Sequence, residues 1–170
     1  MEPKIYTLQE AESASKEYFR GDDLAARVWS TKYALKDSFG NLFELTPDDM
    51  HHRLASEIAR IEEKYPNPMS EAELFELMRD FKYIVPQGSP MTGIGNHFQV
   101  SSLSNCFVIG QDGSNDSYGA IIQLDEEQVQ LMKRRGGVGH DLSTIRPNGS
   151  PVKNSALTST GLVPFMERYS

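Results

Sequence analysis

The single cysteine of this 170-residue chain, Cys106, lies in the stretch SSLSNCFVIG. Serine and asparagine side chains precede the thiol, and the apolar run FVI at residues 107–109 follows it. One cysteine can form neither an internal disulfide nor a zinc site built on several cysteine ligands. A free cysteine is usually a small buried hydrophobe, so the local pattern predicts a buried strand.

Two further groups of residues have types that suit a nucleotide. The glycines of GGVG at residues 136–139 would let the backbone approach a bulky ligand, although a helix C-cap at Gly136 explains the same pattern. Their spacing is neither that of a P-loop nor that of a dinucleotide fingerprint. Carboxylates suit ribose hydroxyls and cations suit phosphates, which draws attention to Asp116, Ser117, Arg146 and Lys153. Solvated loop charges are the alternative explanation, and the commoner one.

The histidines predict no metal site. His51 and His52 are adjacent, so on a helix their side chains point in different directions, and His97 and His140 are isolated in sequence. The spacing specifies neither a Ser-His-Asp arrangement nor a catalytic pair of carboxylates. No metal ligand is therefore assigned.

The elements that position these residues begin with a helical domain, predicted for residues 1–85. The capping-box pattern Ser/Thr-x-x-Glu occurs at residues 7–10 and 70–73. Thr46 and Pro47 are typical of the N-cap and the first residue of a further helix. Apolar side chains then recur at helical spacing and predict a core-facing stripe: Met50, Leu54, Ile58 and Ile61.

Residues 86–170 form a second predicted domain of mixed strands and helices. It opens on the loop-like segment QGSPMTGIG, followed by the strand through Cys106 and a second loop, GQDGSND. Asp116 or Ser117 can cap the next helix, and a short strand is expected over residues 138–145. The glycines and charged loops described above therefore flank one helix and two strands.

Composition excludes several classes of protein. Hydrophobic residues make up 38% of the chain, and the net charge is −7 from 24 acidic and 17 basic residues. This content supports a core, while the acidic balance argues against broad nucleic-acid or anionic-membrane binding. No apolar run approaches the roughly 18 residues of a membrane span, and the N-terminus is not signal-like. We expect a cytoplasmic protein with neither a nucleic-acid nor a membrane partner.

Several ordered blocks together resemble the catalytic (large) chain of ribonucleotide reductase: SSLSNCFVIG, NDSYGAI, LMKRRGGVGHDLSTIRPNGSPVKNSALTSTG and VPFMERYS. The segment YALKDSFGNLFELTPDDMHHRLA resembles the helical N-terminal domain of that family. The resemblance implies an α-helical N-terminal domain leading into the first part of an α/β ten-stranded barrel, which is incomplete in this chain. The segments LMKRRGGVGHDLS and SALTSTG most resemble the adenosylcobalamin-dependent class of the family. From the short segment ahead of the matching residues, we expect no ATP-binding regulatory domain of the kind that many members carry.

The resemblance also implies roles for individual residues. Cys106 matches one of two thiols that deliver electrons to the ribose and end as a disulfide. Ser89 matches a hydroxyl that holds substrate phosphate. Asn105, Gly136 and Gly137 match positions that surround the substrate, where glycine would let the main chain come close.

A deoxynucleoside triphosphate effector site is implied at the helix that follows the loop. Six residues match its start and the loop that closes over it: Asp116, Ser117, Tyr118, Arg146, Val152 and Lys153. Asp116 is expected to contact sugar or helix-terminal N–H groups, and Arg146 the phosphates. In the family this site lies at or near a subunit interface, so a dimer is expected.

The radical cysteine and the second redox cysteine of the family have no match in this chain. The resemblance therefore implies partners: the remaining portion of the catalytic chain, which also binds most of the adenosylcobalamin, and a thioredoxin-like reductant. The apolar residues of LVPFMERYS are expected to pack against such a portion, and the chain alone is expected to be inactive. The implied activity is that of a ribonucleoside-diphosphate reductase. Two alternatives stay open: a large subunit that receives its radical from a metal-containing subunit, and a nucleotide-binding regulatory module without chemistry.

Overall fold

The computed structural model describes residues 4–110 and 116–169 of the chain. Most of the predicted loop GQDGSND, residues 111–115, lies outside the described residues. The chain divides into two compact units, Met1–Leu103 and Ser104–Ser170. The predicted end of the helical domain at residue 85 stays a prediction. The first compact unit extends further and includes residues 86–103.

The first unit begins with the helical pair α1 (Leu8–Tyr18) and α2 (Asp23–Lys32). The predicted capping box at the start of α1 is confirmed: the Glu10 backbone N–H donates to the Thr7 hydroxyl at 3.2 Å, and the Thr7 N–H donates to the Glu10 carboxylate at 2.8 Å. These bonds satisfy N–H groups that have no partner within the helix, so the start of α1 is fixed by its sequence.

A second helical pair follows, α3 (Pro47–Glu62) and α4 (Glu71–Met78), and a 3₁₀ turn over Arg79–Phe81 extends α4. Both predicted starts are confirmed. Thr46 forms a capping box with Asp49 ahead of α3, and Ser70 forms one with Glu73 ahead of α4.

The core of this unit lies among the four helices. Met50, Leu54 and Ala55 of α3 are fully buried, together with Trp29 of α2 and Met78 of α4. Burying a side chain of the size of leucine stabilises a fold by about 1.5–3 kcal/mol, so this cluster accounts for the stability of the helical arrangement.

The adjacent histidines of α3 do point in different directions, as predicted. His51 is fully buried against the Phe81 ring, with the ring centroids 4.6 Å apart, and burial lowers its pKa below the ordinary value. His52 is largely exposed and stacks on Phe75 at 3.9 Å. The pair therefore serves packing on two separate faces.

The segment QGSPMTGIG is not the loop that its composition predicts. Residues Gly88–Gly93 form a short helix, α5, and the Ile94 N–H donates to the Pro90 carbonyl at 3.1 Å. Proline is tolerated in the first turn of a helix because its missing N–H has no helical partner there. The loop prediction was wrong because it counted glycine, serine and proline without considering that Pro90 lies in the first turn, where a helix tolerates it.

The second unit is a strand–helix–strand crossover followed by a helix: β1 (Cys106–Ile109), α6 (Tyr118–Met132), β2 (Gly137–His140) and α7 (Val163–Tyr169). The two strands are parallel, and Cys106 pairs with Gly137 at one end of the register. The second strand is shorter than the predicted span 138–145: the Asp141 N–H still donates to the Ile109 carbonyl of β1 at 2.9 Å, and the chain then turns at residues 143–145, where the Ile145 N–H donates to the Leu142 carbonyl. Helix α7 packs on α6, since the Tyr169 hydroxyl donates to the Ile121 carbonyl at 3.1 Å.

The strand through Cys106 is also less buried than predicted. Phe107 and Ile109 are half-buried on one face, whereas Cys106 and Val108 are exposed on the other. Alternation along a strand places these two sets on opposite faces, and only one face is covered in the described residues. Within those residues, no helix is both long and apolar enough to cross a membrane.

Candidate functional site

The cysteine lies at the start of β1 with its thiol exposed. The expectation that a lone cysteine is buried is therefore wrong here. The polar residues before it end in Asn105, whose carbonyl accepts a hydrogen bond from the Gly137 N–H at 2.6 Å. Asn105, Cys106 and Gly137 are thus brought together at one end of the parallel pair.

Glycine at position 137 keeps the space beside this thiol open. A Cβ built on Gly137 would lie 3.1 Å from the Asn105 carbonyl oxygen and 3.9 Å from the Cys106 Sγ. The first distance is tighter than ordinary van der Waals contact, so a larger residue would push against the strand that carries the cysteine. The observation agrees with close approach of the main chain to a ligand.

Glycine at position 136 is explained differently, by packing within the unit. A Cβ on Gly136 would lie 2.8 Å from the Phe107 ring and 3.1 Å from the Leu131 carbonyl oxygen, so packing within the unit excludes a side chain there. Gly136 also donates to Leu131 at 3.0 Å and Arg135 to Met132 at 2.9 Å, the two bonds of a Schellman motif. The residue with positive φ in this cap is Arg135, not Gly136 as the C-cap explanation assumed.

Ser89 belongs to the helical unit, where it is the second residue of α5 and is buried. The Thr92 hydroxyl donates to the carbonyls of Gly88 and Ser89 at 3.0 and 3.2 Å, which fixes this turn of the helix. The structure therefore gives Ser89 a defined place in its own unit. Its contact with substrate stays a prediction.

A cavity of about 350 Å³ lies at the start of α6 in the second unit. Its volume is within the range of small-molecule sites. The six residues predicted for an effector all line it, three from the start of α6 and three from the segment after β2: Asp116, Ser117, Tyr118, Arg146, Val152 and Lys153. Residues separated by some 30 positions in sequence thus share one cavity, as with Asp116 and Arg146.

The N-terminus of α6 gives this cavity a positive end. The Ser117 hydroxyl accepts a hydrogen bond from the Ala120 N–H at 3.2 Å, which identifies Ser117, and not Asp116, as the N-cap. The remaining N–H groups of a first helical turn have no partner within the helix, and the helix dipole adds partial positive charge there. Such an end suits an anion.

Asp116 and Arg146 bind each other. The Arg146 Nε donates to one Asp116 oxygen at 2.6 Å, and the Arg146 backbone N–H donates to the other at 3.2 Å. Although partial burial raises the pKa of the Asp116 carboxyl, these hydrogen bonds and the arginine charge outweigh it, and the pKa lies below its ordinary value. Asp116 is therefore ionised at neutral pH and holds the start of the loop after β2 against α6.

Arg146 binds the protein at two points, and its contact with phosphate stays a prediction. Its Nη1 donates to the Pro151 carbonyl at 3.0 Å, so two of its three nitrogens already bind the protein. Lys153 also lines the cavity, and among the described residues it has no hydrogen-bond or ion-pair partner. All three N–H donors of the Lys153 ammonium are therefore available to a ligand, whereas Arg146 has only part of its guanidinium available.

The loop that carries Lys153 is a folded hairpin. The Val152 N–H donates to the Leu157 carbonyl at 3.0 Å, and the Ser159 N–H donates to the Ser150 carbonyl at 2.8 Å. Together with the bond from Arg146 to Pro151, these contacts give the cavity wall a defined shape.

Sequence reasoning missed one wall of the cavity. Phe165 of α7 lines it and meets the Tyr118 ring edge to face, with centroids 6.2 Å apart. The expectation that the apolar run LVPFM packs against another portion of the protein stays a prediction; within the described residues Phe165 is half-buried, and Val163 and Met166 are exposed. An aromatic pair at a ligand cavity offers a flat apolar surface of the kind on which a base stacks.

Family models match both units of this chain. The all-alpha domain of ribonucleotide reductase matches residues 19–92, and the barrel domain of ribonucleotide reductase matches residues 104–170. The two matches follow each other along the chain and leave only short segments uncovered.

Curated relatives agree with these matches. The ribonucleoside-diphosphate reductase subunit alpha of Helicobacter pylori is 27% identical over 149 residues, which are 88% of this chain and 18% of the relative. The subunit alpha of Buchnera aphidicola is 27% identical over 109 residues, 62% of this chain and 14% of the relative. The large chain 2 of Saccharomyces cerevisiae is 32% identical over 68 residues, 40% of this chain and 8% of the relative. The chain thus spans less than a fifth of the length of these relatives.

Proposed function

Because this chain belongs to the ribonucleotide reductase large-subunit family, we propose that it contributes the helical domain and the start of the catalytic barrel to an enzyme that reduces ribonucleotides to deoxyribonucleotides. The observation that carries the proposal is that the six predicted effector residues line one cavity in the same unit that exposes the single cysteine of the chain. One part of the unit would recognise a nucleotide, and the other would reduce one.

The cavity at the start of α6 is proposed to bind a deoxynucleoside triphosphate. The helix N-terminus and the Lys153 ammonium supply positive charge for the phosphates, and the Tyr118 and Phe165 rings supply an apolar surface for the base. Asp116 still has acceptor capacity for a sugar hydroxyl, because each carboxylate oxygen can accept more than one hydrogen bond. In this arrangement Arg146 shapes the loop and offers its remaining nitrogen to the phosphates.

Cys106 is proposed as one of two reducing thiols. Loss of the 2′-hydroxyl as water needs a proton donor and two electrons, and two thiols supply both when they become a disulfide. The net change is one ribonucleotide and two thiols giving one deoxyribonucleotide, one disulfide and water. The exposed thiol and the open space beside Gly137 support access of a sugar to Cys106. The second thiol and the thiyl radical that starts the reaction would come from other parts of the protein.

The described residues offer no observation that bears on adenosylcobalamin, whose site the resemblance implies mainly in other parts of the protein. The cobalamin-dependent class therefore rests on the motifs alone. The rival is a radical delivered by a metal-containing subunit, and dependence of activity on added adenosylcobalamin distinguishes the two.

The remaining partners belong to the same proposal. The rest of the catalytic protein would complete the barrel, a second copy would form a dimer, and a thioredoxin-like dithiol would return the disulfide to thiols. A nucleotide-binding regulatory module without chemistry is the other candidate function. The exposure of Cys106 favours the enzyme, because a module that only binds effectors has no use for an accessible thiol.

The decisive experiment is Cys106→Ser in the complete catalytic protein. We expect ribonucleotide binding to remain and turnover with a dithiol reductant to fall to background, because the serine hydroxyl cannot form the disulfide. Val108→Ala, on the same exposed face of β1, is the matched control and should keep its turnover. Wild-type turnover of the Cys106→Ser protein would refute the proposed role.

A further inference from the structure

Glu44 and Arg53 form a buried ion pair in the helical unit, and the arginine also binds the segment at the end of α5. The Arg53 Nε donates to the Glu44 Oε1 at 2.7 Å, and the two side chains are 10% and 3% exposed. The other Glu44 oxygen accepts a hydrogen bond from the Leu35 N–H at 2.7 Å. Glu44 is thereby fixed to the chain before α3, and it fixes the guanidinium in turn.

The rest of the guanidinium binds the end of α5. The Arg53 Nη2 donates to the Met91 carbonyl at 2.8 Å, and the Nη1 donates to the Ile94 carbonyl. Gly95 packs directly on the side chain, since a Cβ there would lie 2.8 Å from the Arg53 Cγ. One arginine therefore joins three separate parts of the unit: Glu44, the helix α3 and the end of α5.

This placement matches what a short helix needs. Helix α5 has six residues, and so short a helix is not stable by itself. The last carbonyls of a helix lack partners and carry partial negative charge, so a cation that donates to them holds the helix end in place. The planar fork of arginine reaches a carboxylate and two carbonyls that lie on different sides of it, whereas the three donors of lysine all radiate from a single nitrogen.

Stability alone does not account for the pair. Removing two charges from water costs several kcal/mol per ion, and apolar residues of similar volume often replace a buried pair without loss. The benefit of the pair is a fixed geometry, and the segment it fixes is the one that carries Ser89.

We propose that Glu44 and Arg53 form a positioning clamp that holds α5 in the orientation in which Ser89 meets the phosphate of the substrate. Arg53 is a positioning residue, because it acts through α5 and does not touch substrate. The proposal rests on the proposed function, since the role of Ser89 does.

The first measurement tests the clamp without reference to substrate. Hydrogen exchange of the Met91 and Ile94 amides, which bond to Gln87 and Pro90 within α5, is compared between the wild-type protein and Arg53→Lys. We expect exchange about tenfold faster or more in the variant, with the amides of α1 and α2 unchanged, because only the contacts to α5 are lost. The control is Arg60→Lys on the same helix, whose pair with Glu57 is exposed. Unchanged exchange of the α5 amides in Arg53→Lys overturns the clamp.

The second measurement tests its consequence in the complete catalytic protein. Arg53→Lys should raise the KM for ribonucleotide about fivefold or more while kcat stays within about twofold, because positioning affects binding and the reacting groups are intact. Ser89→Ala is measured beside it. If Ser89→Ala leaves KM unchanged, the proposed role of Ser89 fails. If Ser89→Ala raises KM and Arg53→Lys loosens α5 without raising KM, the positioning proposal fails and the proposed function stands.

Discussion

The two units of this chain differ in what they do with apolar side chains. The helical unit buries them: Met50, Leu54 and Trp29 lie in its core with almost no exposure. In the second unit the described residues bury only Ile121 and Leu124 of α6 to that degree, and Val108, Ile122 and Val129 are more than half exposed. The helical unit is built around a core, whereas the second unit buries few apolar side chains and keeps a cavity and a thiol accessible.

This difference explains where the chemistry lies. Every residue proposed to meet a ligand, except Ser89, belongs to the second unit, where the thiol and the cavity are accessible. A ligand site needs accessible polar groups, and these compete with the burial that stabilises a fold. The helical unit supplies burial, and its deeply buried pair of Glu44 and Arg53 binds the end of α5.

The largest expected effect tests burial. Leu54→Ala should lower the free energy of unfolding of the helical unit by about 2–5 kcal/mol, because it removes a buried side chain and leaves a cavity. Val108→Ala in the second unit should change stability by about 0.5 kcal/mol or less, because its side chain is 64% exposed. Fluorescence of Trp29, the only tryptophan, reports unfolding of the helical unit, and hydrogen exchange of β2 reports the second unit. Equal losses of unfolding free energy in the two variants would contradict the difference in burial between the two units.

A smaller effect is expected at the cavity. Lys153→Ala should weaken binding of a deoxynucleoside triphosphate by about 1–3 kcal/mol, as the loss of a charge-assisted hydrogen bond does, and the loss should shrink at high salt. Arg146→Ala should weaken binding to a similar degree and also speed hydrogen exchange at Val152, because Arg146 holds the loop through Pro151. Equilibrium dialysis measures nucleotide binding by both variants, with Lys64→Ala in the helical unit as the control. Binding that is indifferent to both variants would place the effector elsewhere.

The smallest effect compares helix caps in the two units. Ser70→Ala removes a reciprocal capping box and should cost the helical unit about 1 kcal/mol, measured by Trp29 fluorescence in urea. Ser117→Ala removes a single bond of 3.2 Å and should cost about 0.5 kcal/mol, measured by exchange of the Ile121 amide. A larger loss at Ser117 would mean that the start of α6 is held more tightly than the exposed surroundings suggest.

The helical starts were predictable because they depend on neighbouring residues. A capping box spans four positions, so Thr7 with Glu10 and Ser70 with Glu73 could be recognised in the sequence, and the structure contains both. Helix α5 was not predicted, because its loop-like composition hid it and because Arg53, which binds its last carbonyls, lies about 40 residues earlier in the chain. Local patterns carry no information on such a contact.

The candidate site shows the same limit. Motifs indicated which residues belong together, and six of them line one cavity. Motifs did not indicate that Arg146 is occupied by Asp116, that Gly136 is required by the Phe107 ring, or that Cys106 is exposed. Each of these depends on distance in space between side chains that are remote in sequence or on the covering of a strand face.

The parallel pairing of β1 with β2 has a consequence for the order in which the chain folds. Cys106 can meet Gly137 only after the whole of α6 has been synthesised, and closing so long a loop costs entropy before any strand contact repays it. The pairs α1 with α2 and α3 with α4 join neighbouring segments, so they can form as soon as each leaves the ribosome. During synthesis the helical unit would therefore fold before β1, which carries the thiol, can pair with β2. In that interval the edge of β1 has no partner strand, and an unpaired strand edge can pair with another chain and aggregate.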